Sequence, residues 1–404
     1  MDAVEIDDAD EVLRRHVAAH GPVSRCPLVP GARIDLLPSG ADAFDAIFAA
    51  IDEAKQSLLL EYYEFQDVHW RGRRLIDLLV AKLEQGVRVA VSYDAAGSQD
   101  VDDALFERLR SAGASVLEFR PFNPFRKRFD LWGLNDRDHR KIFVADGRVA
   151  VLGGVNLSRV YENPRDAPAG RYPQKAFWYD AAVRIEGPPV AEIVRLFLLG
   201  WRHRHGDKLH VMREAGEAAP LGELIVRTDG SAPRQHRQLY FESLKAGTAA
   251  AESHILLATG YFVPTFRQWR LLVDAAKRGV QVDLVLAGYS DIPGCIRAAR
   301  ALYGRLLEAG VRIHELTDGV LHAKVATVDG VWTSIGSSNL DRRSFVYNDE
   351  VDAIILGRHT AGAVEEMLRG WISGASTVTL AEWRQRSLGE RAGELLTRFW
   401  SRYM

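Results

Sequence analysis

The stretch His139-Arg140-Lys141-Ile142-Phe143-Val144-Ala145-Asp146, followed by Gly153-Gly154-Val155-Asn156, returns later as His322-Ala323-Lys324-Val325-Ala326-Thr327-Val328-Asp329 and Gly336-Ser337-Ser338-Asn339. Every marked position recurs at one constant displacement: His139 as His322, Lys141 as Lys324, Asp146 as Asp329, Gly153 as Gly336 and Asn156 as Asn339. A spaced pattern repeated at a constant offset marks an internal duplication, which fixes the architecture better than local propensity does. Upstream of each copy the same order of elements is repeated. An apolar strand over 57–65, a helical pattern stopping at Gly86 and a strand over 87–93 are matched by 253–263, Gly279 and 280–286. A helix over 105–112 before Gly113 is matched by one over 302–309 before Gly310. Strands alternating with helices of this length predict an α/β fold of βαβ units, each half a mainly parallel mixed sheet flanked by helices.

These boundaries predict an N-terminal arm over 1–30, a first domain over 31–205, a polar linker over 206–220 and a second domain over 221–404 with C-terminal helices. The paired upstream glycines, Gly86 with Gly279 and Gly113 with Gly310, are displaced further than the motifs, so the first half carries an insertion just before His139. Its stretch 121–132 interleaves Phe122, Phe125, Phe129 and Trp132 with Arg126, Lys127 and Arg128. Such a composition suits lipid headgroups at a membrane interface, or a loop packed on the neighbouring domain.

With 404 residues, 47% of them apolar, 26% charged and a net charge of -2, the chain is neither disordered nor a general nucleic-acid binder. Cys26 and Cys295 are too few for a disulfide framework and too far apart for a zinc knuckle, so both read as reduced thiols. No apolar run reaches the roughly 18 residues of a membrane-spanning helix, and the acidic start (Asp2, Glu5, Asp7, Asp8) is unlike a signal peptide.

On a strand, alternate side chains share a face, so His139 and Lys141 project together, as do His322 and Lys324. Asn156 and Asn339 arrive from small-residue turns where an amide can donate to an anionic oxygen. A phosphodiester fits these donors. One neutral imidazole can attack phosphorus while the other, protonated, gives its proton to the leaving alkoxide, so the two histidines need different pKa values. Lys141, Lys324, Asn156 and Asn339 would stabilise charge on the non-bridging oxygens, and neither metal nor cofactor is required. Asp146-Gly147 and Asp329-Gly330 carry a hairpin-turn signature and read as structural. An attacking histidine also needs a carboxylate on its other nitrogen. The candidates are Asp180 and Glu350, each downstream of the histidine of its own half and at the start of a strand-like run. The other histidines, His203 and His205 among them, read as packed or solvated. The Pro-, Gly- and Arg-rich stretch 159–175 is expected to form a mobile loop at the site mouth.

The stretches 135–141 and 321–350, with Gly260-Tyr261-Phe262-Val263-Pro264, resemble the phospholipase D superfamily, and within it the bacterial cardiolipin synthases. The likeness runs from about residue 55 to the C-terminus. It implies two α/β/α domains related by a pseudo-twofold, one active site at their interface, and metal-independent two-step catalysis with His139 as nucleophile and His322 as general acid. It further implies transphosphatidylation, in which phosphatidylglycerol forms a phosphatidyl-enzyme that the headgroup hydroxyl of a second phosphatidylglycerol resolves to cardiolipin. Many such synthases carry N-terminal membrane-spanning helices, so this chain resembles the shorter, soluble branch. The expected partners are a phospholipid substrate and the inner face of the cell membrane, met from the cytoplasm, with no obligate protein partner evident. Membrane contact would fall to the 121–132 insertion or to 395–403, a run that reads more readily as a helix packed on its domain. Two rival enzymes share the motif: a hydrolytic phospholipase D and a phosphodiesterase acting on nucleic acid, the latter disfavoured by the slightly acidic balance. Intact His, Lys and Asn in both copies stand against a lipid-binding scaffold with a dead site.

Overall fold

A computed structural model describes residues 10–387 apart from 24–25, 122–135, 168–169, 171–172, 205, 207–208, 210–217 and 233–237. The 121–132 insertion beyond Pro121, the 395–403 run and much of the 206–220 linker lie outside the described residues.

The first half lays down β1 (Val29–Leu37), α2 (Gly40–Glu53), β2 (Ser57–Tyr62), α3 (Leu75–Glu84), β3 (Arg88–Asp94), α4 (Asp103–Ser111), β4 (Ser115–Phe119), β5 (Lys141–Ala145), β6 (Val149–Gly153), β7 (Trp178–Tyr179), β8 (Ala182–Glu186) and α5 (Val190–His203), behind an N-terminal α1 (Glu11–His20). The second half repeats the order: β9 (Leu224–Ser231), α6 (Leu239–Ala250), β10 (His254–Thr259), α7 (Phe266–Lys277), β11 (Gln281–Ala287), α8 (Pro293–Glu308), β12 (Arg312–Leu316), β13 (Val320–Leu321), β14 (Lys324–Val328), β15 (Trp332–Gly336), α9 (Arg342–Val346), β16 (Glu350–Leu356), α10 (Arg358–Ser373) and β17 (Ser376–Val378). Gly86, Gly113, Gly279 and Gly310, the four helix stops of the sequence pattern, have φ of +86°, +99°, +95° and +91°, a region where a Cβ is strained.

The halves share one sheet of fifteen strands, in the order β17-β12-β11-β10-β14-β15-β16-β9-β1-β8-β6-β5-β2-β3-β4. Outward from the β9–β1 junction, the strands of one half mirror those of the other. That junction is antiparallel, with Val29 opposite Val226 and Ala32 opposite Leu224. The parallel pairing expected from the βαβ pattern occupies the flanks, β2–β3–β4 and β10–β11–β12. From β2 inward to β10 every pairing is antiparallel. Short loops explain this: β5 and β6, like β14 and β15, are joined by tight hairpins, which allow only antiparallel neighbours.

Apolar clusters cover both faces. On one face α2, α3 and α4 bury Phe44, Ile47, Leu79 and Phe106 against the first half, while α6, α7 and α8 bury Leu244, Leu272, Tyr303 and Leu306 against the second. On the other, α5 and α10 contribute Ile193, Phe197, Val364 and Leu368 to a single core drawing on strands of both halves. A core common to the two halves holds their relative position, so a site between them inherits the rigidity of a packed interior. The N-terminal arm crosses over. Its α1 packs on the second half, where His16 meets Asp329, His20 accepts from Trp332 Nε1 at 2.8 Å, and Arg358 pairs with Asp10 at 2.7 Å.

Candidate active site

Each histidine sits just before its strand rather than within it, because β5 and β14 begin at the lysines. The backbone there pairs with the opposite half. His139 N–H donates to Asp349 O at 2.9 Å, and His322 N–H donates to Tyr179 O at 2.9 Å, beside the parallel pairing of β13 with β7. The residue after each accepting carbonyl is a carboxylate, Glu350 or Asp180. Each carboxylate thus lies against the histidine of the other half: His139 Nδ1 is 2.9 Å from Glu350 Oε2, and His322 Nδ1 is 2.7 Å from Asp180 Oδ2. Counted along the chain, each carboxylate belongs to the histidine of its own half; the fold pairs them crosswise. With both Nδ1 atoms engaged, each Nε2 is left to the cavity between the rings, whose centroids are 6.4 Å apart.

The lysines fold back against their motifs: Lys141 Nζ donates to His139 O at 2.6 Å, and Lys324 Nζ donates to His322 O. Asn156 accepts from Glu64 N–H at 3.3 Å, Asn339 donates its own N–H to Ser344 Oγ at 3.2 Å, and both asparagines line the cavity. The cavity, of about 560 Å³, is bounded by Tyr63, Trp178, Tyr261 and Ile292 as well as by the two histidines. The motif aspartates stand elsewhere. Asp146 and Gly147 have φ of +50° and +62°, Asp329 and Gly330 +53° and +66°, the type I′ signature. The Asp146 carboxylate accepts from the N–H groups of Lys55, Gln56 and Ser57. Asp329 accepts from those of Glu252, Ser253 and His254, and from Arg15 of α1.

Two residues at the site escaped the reading of the sequence. Tyr161 OH donates to Asp180 Oδ2 at 2.6 Å and lies 3.1 Å from His322 Nδ1, and Ser337 Oγ donates to Glu350. Ser337 was accessible through the repeat, since it occupies in the second copy the position of Gly154 in the first. At Gly154 a Cβ would overlap the Asp180 carboxylate, so the first copy has space where the second has a hydroxyl. Tyr161 has no such signal, as its counterpart in the second copy is Ser344.

Burial pushes His139 down to about 4, against the pull of Glu350 and with the help of Lys141. His322 is lowered in the same way, by burial and then by Lys324. Burial and the charge of Lys324 bring Lys141 down to about 7, and burial brings Lys324 to about 8. Burial raises Glu350 and Asp180, but His139 and His322 opposite, with Lys141 and Lys324 and the hydroxyls of Ser337 and Tyr161, hold them below their ordinary values. At neutral pH the site therefore holds two uncharged imidazoles, each backed by an ionised carboxylate. Burial pushes the thiol of Cys295, also on the cavity wall, up to about 12, so it is protonated and a poor nucleophile.

A family described as "Cardiolipin synthase, PLD-like domain" matches residues 47–163 and 245–371, one span in each half, and each span holds one of the two histidines. The chain belongs to this family. Within it, cardiolipin synthase of Geobacillus kaustophilus is 32% identical over 390 residues, covering 94% of this chain and 74% of that protein. Cardiolipin synthase B of Escherichia coli is 34% identical over 361 residues, covering 86% of this chain and 82% of that protein. Among solved structures, phosphatidylserine synthase of Haemophilus influenzae superposes with a TM-score of 0.67 over 96% of this chain and 98% of its own. At 15% identity that likeness speaks for the phospholipase D-like fold.

Proposed function

We propose that this member of the family is a phosphatidyltransferase that makes cardiolipin from two molecules of phosphatidylglycerol through a phosphohistidine. The observation that carries the mechanism is the crosswise pair: two histidines face one cavity, each fixed at Nδ1 by a carboxylate of the opposite half. The names of the relatives support the substrate. In the first step His139 Nε2, neutral and oriented by Glu350, attacks phosphorus as the P–O bond to the glycerol headgroup breaks, and His322 Nε2 gives that alkoxide its proton. In the second step His322 takes the proton of a headgroup hydroxyl on another phosphatidylglycerol, whose oxygen attacks phosphorus and releases His139. The products are cardiolipin and glycerol. An imidazole that is neutral in the empty site is a ready nucleophile but cannot donate; the entering diester anion favours protonation of His322, beside which Asp180 balances the imidazolium. Lys141, Lys324, Asn156 and Asn339 would offset charge on the non-bridging oxygens. No helix among the described residues is long and apolar enough to cross a membrane, and on this proposal the chain meets its lipid as a peripheral protein at the cytoplasmic face.

Incubation with phosphatidylglycerol vesicles, with lipid products resolved by mass spectrometry beside a His139→Ala control, tests the reading. Cardiolipin that disappears in the control is the expected result. Phosphatidic acid alone would make water the acceptor, and no lipid product from folded protein would refute the substrate class.

A further inference from the structure

Four large apolar side chains are exposed among the described residues: Leu221, Phe266, Ile292 and Val346. Three of these four stand on, or within three residues along the chain of, the lining of one cavity. Ile292 lines the catalytic cavity itself; Phe266 follows closely on Val263, another lining residue; Val346 lies between Arg343 and Asn348, which also line it. All three are on the second half, at the start of α7, before α8 and at the end of α9. Arginines stand close along the chain to each: Arg267 and Arg270 by Phe266, with Arg270 stacked over its ring and 3.3 Å from Asp274; Arg297 past Ile292, which itself follows Asp291; and Arg342 and Arg343 before Val346. Scattered single apolar residues on a surface need no explanation, but apolar tips gathered at one opening and flanked by cations match a bilayer, whose interior takes the tips and whose anionic headgroups take the guanidinium groups.

We propose that the rim formed by Phe266, Ile292 and Val346 with Arg267 and Arg297 is the surface by which the protein docks on an anionic bilayer, mouth down. A diacyl lipid then reaches the histidine pair by rising from its leaflet, with its acyl chains still in the membrane. This rests on a phospholipid being the substrate. The test compares wild type with a Phe266→Ser/Val346→Ser double variant, neither position lining the cavity and both exposed. Co-sedimentation is measured with vesicles of phosphatidylglycerol and phosphatidylcholine, and turnover with both vesicles and dihexanoyl-phosphatidylglycerol held below its micellar concentration. The proposal expects vesicle affinity and kcat/KM on vesicles to fall about tenfold or more, with turnover of the monomeric short-chain lipid and the melting temperature unchanged. Arg267→Glu should weaken binding further in low salt than in high salt. Wild-type affinity in the double variant overturns the inference. So does light scattering in which wild type is a dimer and the double variant a monomer, since the rim then meets a second copy. Loss of vesicle binding, with wild type making no product from either lipid, would support the docking surface while refuting the phosphatidyltransferase reading.

Discussion

Two nearly equivalent histidines are differentiated by what stands behind them. His139 has the longer Glu350, braced by Ser337 Oγ and by Asn348 Nδ2 at 3.3 Å; His322 has the shorter Asp180, braced by Tyr161 and seated in the space that Gly154 leaves. A Gly154→Ser substitution, which copies the second motif into the first, must push Asp180 off His322. On the proposed mechanism it lowers kcat by about 10²-fold or more with little change in melting temperature, as general acid catalysis is worth about 10²–10⁴; equal kcat would show that the Asp180 contact is dispensable. The pH dependence has a defined sign. On the proposed mechanism His139 must be neutral and His322 protonated, so kcat/KM falls as pH drops through about 4, falls as pH rises past the lowered value of His322, and falls further above about 7 to 8 as Lys141 and Lys324 lose their protons. Stability follows the same groups in the empty protein. His139 and His20, both near 4 when folded, leave the unfolded chain with more bound protons below about 6.5, so stability declines from there toward pH 4. The lysines keep their protons in the unfolded chain up to about 10.4, so their contribution to stability rises with pH from about 7 to 10. A pH-rate profile and a series of urea melts check both.

At the scale of elements, the two hairpins that carry the motif aspartates have the same backbone and different surroundings. Asp146 caps the entry to β2 with three N–H contacts, whereas Asp329 caps β10 and also holds Arg15 and His16 of α1. Asp329→Ala is therefore expected to cost more than Asp146→Ala. Thermal or urea unfolding should place the Asp329 variant lower by a further ~1–3 kcal/mol, since it strands buried partners, and equal losses would mean α1 adds nothing through this contact. The duplication made these hairpins, the helix stops at Gly86 and Gly279, and the order of elements legible in the sequence. It did not reveal that the strands around the centre are antiparallel, because alternating strand and helix patterns describe the flanks and the pattern weakens where hairpins take over. Nor did it place α1 on the second half, as an amphipathic helix carries no address for its partner.

For the whole molecule, the continuous sheet and the core shared by α5 and α10 make the interface of the halves a fixed interior, and the site is built from both. The candidate histidines, lysines, asparagines and carboxylates could all be named from the sequence, because duplication flagged them and tautomer chemistry demanded acids, and the structure brings the histidines and asparagines to one cavity. Which acid serves which ring could not, since the backbone pairs at His139–Asp349 and His322–Tyr179 that decide it span the two halves. The central claim is this crosswise division of labour, with Glu350 and His139 on the attacking side and Asp180 and His322 on the leaving-group side. The measurement that tests it most directly is first-turnover release of nitrophenol from a phosphatidyl p-nitrophenyl diester, a leaving group that needs no proton, set beside an alkyl diester. The account predicts that His322→Ala and Asp180→Asn, slow on the alkyl diester, recover most of the wild-type burst on the nitrophenyl substrate, while His139→Ala and Glu350→Gln remain slow on both. Recovery by the His139 pair, or the same response from all four variants, would contradict it.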